Sequence, residues 1–66
     1  MTSPLRRQLA HLEAKVRKTS EARRALPPGS SRARVTTANA RWATACEARD
    51  RVLRQIEDAE RTTGDA

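Results

Sequence analysis

The sequence contains no phenylalanine, no tyrosine and a single tryptophan, Trp42. A core built on aromatic contacts is therefore excluded, and so is a surface of interleaved aromatics on which nucleic-acid bases could stack. There is one cysteine, Cys46, and one histidine, His11. A lone thiol cannot close an internal disulfide, and one Cys with one His makes a poor metal site. Glycine is scarce, with two residues in 66, and no glycine-rich phosphate loop is present. No run of about 18 apolar residues occurs, so no membrane span is expected. The start of the chain, with Arg6 and Arg7 followed by mixed polar sequence, lacks the apolar stretch of a secretory signal. The expected location is cytoplasmic, a compartment compatible with an unpaired thiol. No nucleophile–base set and no ligand cluster at metal spacing can be picked out. Neither an enzyme activity nor a cofactor, metal or small-molecule substrate is expected.

What the chain does have is a short supply of aliphatic side chains in a regular pattern. Leu5, Leu9, Leu12, Val16, Leu26, Val35, Val52, Leu53 and Ile56, with Trp42 and Met1, are the large apolar residues. Ordering a residue costs about 1.5 kcal/mol and apolar burial returns about 25 cal/mol per Å², so in a chain this short the two nearly cancel. Small folds add a disulfide, a metal or another subunit. With the first two excluded, association with a second copy or another protein is the expected stabiliser.

Thr2-Ser3-Pro4 reads as a helix start. Ser3 can cap with its hydroxyl, and Pro4 suits the first helical position, where its missing N–H would be unpaired anyway. Leu5, Leu9, Leu12 and Val16 then recur at alternating four- and three-residue steps, the spacing of a helix–helix seam. The heptad continues onto Thr19, Arg23 and Leu26, so the seam weakens after Val16. Pro27 and Pro28 push the preceding residues out of the α region, and Gly29, Ser30 and Ser31 can turn the chain. A first helix over 4–26, a turn over 27–30 and a second helix over 31–61 are predicted, with a frayed tail over 62–66. Ser31 is the favoured cap of the second helix; Thr36 and Thr37 are the alternatives.

The second helix organises the chain. At helical spacing Val35, Ala38, Trp42, Ala45, Cys46, Val52, Leu53 and Ile56 share one side. The predicted fold class is all-α: an antiparallel two-helix hairpin that dimerises into a four-helix bundle. A tight joint puts Trp42 level with Val16, Cys46 with Leu12, Arg49 with Leu9 and Leu53 with Leu5. The expected protein interface is Leu5, Leu9, Leu12, Val16, Val35, Ala38, Trp42, Ala45, Cys46, Arg49, Leu53 and Ile56. Trp42 is its anchor, Ala38 and Ala45 allow close approach, and Cys46 reads as a small buried residue, with an intersubunit disulfide as the other reading. Arg49 interrupts the apolar stripe; Glu13 is its expected partner, in a pair that could set register. His11 falls on the polar side.

Charge is uneven. Residues 1–34 carry a net +7 and residues 35–66 a net −1. Arg23, Arg24, Arg32, Arg34 and Arg41 are expected to gather at the loop end, where arginine forks and free N–H groups of the second helix suit phosphates or an acidic partner. Arg6, Arg17 and Arg24 project within about 20° of one another on a helical wheel, forming a basic line along the outside of the first helix. Glu57, Asp58 and Glu60 should come near Arg6 and Arg7, which favours the antiparallel arrangement. Twelve of the fourteen basic residues are arginine, beside twelve alanines, the bias of a GC-rich coding genome such as that of an actinobacterium or one of its phages.

These features point to a small non-enzymatic interaction or regulatory protein, a bacterial or phage accessory factor, binding another protein through a helical face. The alternative is a nucleic-acid-binding hairpin dimer that uses the arginine tip. In size and plan the object resembles the small RNA-binding hairpin dimers of plasmid copy-number control, a likeness of architecture, which does not fix function.

Overall fold

The structure is a computed structural model that describes the backbone of residues 3–64 and the side chains of residues 3–62. The predicted Met1–Thr2 start and the last two residues of the predicted tail lie outside the described residues. Two helices, α1 (Pro4–Arg24) and α2 (Arg32–Gly64), pack against each other in an antiparallel hairpin. The all-α hairpin expected from the sequence is therefore what the chain forms. Its extents of 56 × 20 × 12 Å describe a slab two helices wide and one helix thick. No second layer covers either broad face among the described residues.

Local chemistry explains where each helix begins. The Ser3 hydroxyl accepts the Arg6 backbone N–H at 3.2 Å, and Pro4 follows as the first helical residue. Ser31 does the same for α2, accepting the Arg34 N–H at 3.3 Å. The ends differ from expectation. α1 stops at Arg24, two residues before Leu26, because Pro27 holds Leu26 out of the helical region. Ala25 makes the last bond, its N–H donating to the Glu21 carbonyl at 2.9 Å. α2 runs on to Gly64 instead of fraying from Thr62, whose hydroxyl donates back to the Asp58 carbonyl at 2.9 Å.

The connection is a strap rather than a tight turn. From Ala25 the chain continues through Leu26, Pro27 and Pro28, then reverses at Pro28-Gly29, with Ser30 N–H donating to the Pro27 carbonyl at 3.2 Å. Gly29 sits at φ +84°, the left-handed conformation demanded at the third position of a turn with proline second. A Cβ built there meets nothing within 4 Å, so any penalty for a side chain is in the backbone alone. Gly29→Ala is expected to lower stability by about 1 kcal/mol, visible as a lowered urea midpoint, and Gly29→Asn by less, since asparagine tolerates this conformation. An equal midpoint for Gly29→Ala and the parent would show that the strap contributes nothing to closing the hairpin.

At a rise of about 1.5 Å per residue α1 is about 31 Å long and α2 about 50 Å. Arg23 reaches Trp42, its guanidinium 4.5 Å from the ring centre. At the other end Arg6 pairs with Glu60. Both arginines are long and lean toward the start of α1, so these contacts do not by themselves set the backbone levels. Between them Lys15 and Thr19 share a groove with Ala40, Arg41 and Ala45, and Ala22 shares one with Thr37, Ala38 and Arg41.

The core is thin. Ala45, Val52 and Ile56 of α2 are the buried apolar residues among those described, and α1 buries none completely. Leu5, Leu9, Leu12 and Val16 are half-buried along the seam.

Candidate interaction surfaces

Because the core is so small, the sites of interest are the faces left beside it. α2 carries two apolar rows, not one. The row toward α1 is Ala38, Ala45, Val52 and Ile56. The second is Val35, Trp42, Cys46 and Leu53, turned about 80° around the helix from the first. Val35 and Leu53 are the exposed large hydrophobics, at 38% and 37% of their maximal surface. The residues expected to form a single interface thus divide between a seam that is used and a stripe that faces outward. Val52, which lies at 4% exposure in the seam, was missing from the expected interface although its spacing from Ala45 already marked it.

Trp42 stands where the two rows meet and is half-buried. One side of it borders a groove with Arg23, Leu26, Val35 and Asn39. Its other side borders a groove with Val16, Ser20, Arg24 and Arg49. Arg23 covers the ring face, a cation–π contact in which the ring's electron-rich face attracts the guanidinium. Cys46, one turn further along the stripe, is a free thiol and half-exposed; it is not the buried residue the sequence suggested.

Arg49 is answered differently from the expected pairing. Its Nε and Nη2 donate to Asp50 Oδ1 at 3.2 and 3.1 Å, while Glu13 lines the same groove from α1. The carboxylate that answers Arg49 is thus its neighbour in sequence, and the Arg49 side chain is a third exposed. Of the acids expected near Arg6 and Arg7, Glu60 pairs with Arg6, whereas Asp58 lies 3.9 Å from Arg61 of its own helix. Both ends of the Arg6–Glu60 pair are well exposed, and such pairs are worth little.

Four of the five arginines expected at the tip are divided between the two broad faces of the slab. Arg32 and Arg34 open α2 at the tip. Arg23 lies back over Trp42. Arg24 lines the groove with Arg17, Glu21 and Arg49. Arg41 faces the opposite side of the slab, in a groove with Lys15, Lys18 and Thr19. His11 is exposed and lines that opposite groove. No helix of the described residues is long and apolar enough to cross a membrane.

In comparison with known proteins, no family model matches the chain, and neither does any curated protein or solved structure.

Proposed function

We propose that this chain is a non-enzymatic interaction protein that works by presenting helical faces, and that the first of these faces binds a second copy to complete a four-helix bundle. The supporting observation is the outward stripe of Val35, Trp42, Cys46 and Leu53 beside a seam that buries three residues. The chain exposes 5558 Å², roughly a third more than the about 4,200 Å² expected for a compact monomer of its mass. Covering about 800 Å² per copy, an ordinary interface, would remove much of that excess.

A second copy fits the stripe in charge as well. The first third of α2 holds Arg32, Arg34 and Arg41 with no acid, a net +3, and the last third holds Glu57, Asp58 and Glu60 with Arg54 and Arg61, a net −1. Two α2 helices crossing antiparallel place each basic start beside the other's acidic end. The nucleic-acid alternative is the second reading, with Arg23 and Arg24 lining grooves of one face and Arg34 and Arg41 those of the other.

The test is the solution mass by light scattering in reducing buffer, with helicity recorded on the same sample. The expected result is a strongly helical particle of twice the chain mass, dissociating on dilution. A helical monomer at every concentration would overturn the dimer. A poorly helical monomer would overturn the self-contained bundle and leave the stripe to a different protein.

A further inference from the structure

The face opposite the outward stripe carries a trough between α1 and α2 that no expectation from the sequence singled out. Lys15 and Lys18 rise from α1 on one rim, and Arg34 and Arg41 from α2 on the other. His11 closes one end. No acidic residue lines it, and none of these four cations is in an ion pair among the described residues. The floor is made of small side chains, among them Ala14, Ala22 and Ala38. Two of its segments have volumes of about 540 Å³ each. The lining extends over three turns of each helix, about 17 Å.

We propose that this trough seats an acidic amphipathic helix of a partner protein, its apolar ridge on the alanine floor and its Asp and Glu side chains against the four cations. The inference rests on the reading of the chain as an interaction protein and names the partner for its second face. Two antiparallel helices with short side chains between them form a natural groove for a third helix, because interaxial distance is set by the side chains at the contact. A helix about 10–12 Å across fits such a seat. The rims supply the specificity: unpaired like charges attract an acidic helix and repel a basic one, this chain's own α1 included.

A phosphate backbone fits the floor less well. The hydroxyls of Thr36, Thr37 and Thr44 and the rim cations can donate to it, but it leaves the alanine methyls of the floor uncovered. Thr19 spends its proton on its own helix, 2.9 Å from the Lys15 carbonyl and 3.0 Å from that of Val16. No aromatic residue lines the trough to stack a base.

The experiment titrates the full chain with a synthetic helical peptide of about 18 residues, enough to span the trough. The peptide has a Leu/Ala ridge at helical spacing flanked by glutamates. Three comparison ligands are run beside it: the same composition with the ridge scrambled, the ridge flanked by lysines, and a short DNA duplex. The expected result is binding of the acidic ridged peptide alone, with amide shifts at Lys15, Lys18, Thr19 and Arg41 and none at Val35 or Leu53. The triple change Lys15→Glu, Lys18→Glu, Arg41→Glu is expected to weaken binding at least about tenfold. Ala22→Leu, which fills the floor without altering charge or helix propensity, should do the same. Equal binding of the scrambled peptide, or no effect of either variant, overturns the proposal. Preferential binding of DNA overturns it in favour of a nucleic-acid partner. The solution mass of the triple variant is measured in parallel. A triple variant that stays dimeric and fails to bind the peptide is the expected outcome, a parent dimer that fails to bind the peptide overturns the trough alone, and a dimer lost in the triple variant assigns the trough to self-association instead.

Discussion

Val52→Asp is expected to abolish the fold at every protein concentration, while the same change one residue later, Leu53→Asp, is expected to leave a helical hairpin that no longer associates. The two residues are adjacent in sequence but project about 100° apart on α2. Val52 is 4% exposed in the seam and Leu53 is 37% exposed on the outward stripe. An unpaired carboxylate at Val52 would be removed from water into the seam, at a cost of several kcal/mol. A chain of this size rarely has more than about 3–5 kcal/mol of stability to lose. At Leu53 the carboxylate remains in water in the single hairpin and is desolvated only in a dimer. Circular dichroism across a wide concentration range separates the two. The parent's melting midpoint should rise with concentration, as mass action requires of an associating protein. Leu53→Asp should melt cooperatively at a lower midpoint that does not depend on concentration. If both variants lose helicity alike, the hairpin has no stable monomer, and the division of α2 into two energetically separate rows is wrong.

The helices themselves were legible in the sequence, and for strong local reasons. Ser3-Pro4 and Ser31 are caps whose hydroxyls take the expected backbone N–H groups, and Pro27 stops α1 by sterics that need no tertiary information. The register is less legible. A seam of seven-residue period looks the same after a slip of one heptad, so matched stripes do not fix the levels alone. The connection is a second unknown, because Pro27 and Pro28 lengthen it before Gly29 reverses the chain. The arginines divide between the two broad faces, Arg23 and Arg24 on one and Arg34 and Arg41 on the other. Glu13 and Arg49 share a groove without being paired, and the pairing of Arg6 with Glu60 replaces the looser cluster expected at the open end.

Two rows on α2 follow from its residues. The small Ala38 and Ala45 lie on the side toward α1, with Ala45 buried, while the larger Val35 and Leu53 are left exposed. On the opposite flank the short side chains leave the trough bordered by Lys15, Lys18 and Arg41. One hairpin thus offers an apolar face and a cationic one, each beside a thin core, and on the proposed reading what covers these two sides is what the chain is for.

Trp42→Ala is the second variant expected to have a large effect, this time on association. The ring lies at the junction of the two rows, and Arg23 is stacked on it at 4.5 Å. Removing it takes away the largest apolar surface on the stripe and leaves Arg23 without its neighbour. Tryptophan anchors at interfaces are commonly worth about 2 kcal/mol or more, so the dimer dissociation constant should rise about thirtyfold or beyond. Trp42→Phe, which keeps a ring for Arg23, should recover part of the loss. Arg23→Ala removes a partly exposed cation–π contact of about 0.5–1 kcal/mol and should cost no more than about fivefold. Arg34→Ala, at the tip, should leave the constant nearly unchanged. Sedimentation equilibrium on the four variants gives the order directly. An arginine variant that weakens the dimer more than Trp42→Ala would show that charge, not the apolar stripe, holds the copies together. The basic groups would then become the primary contact surface.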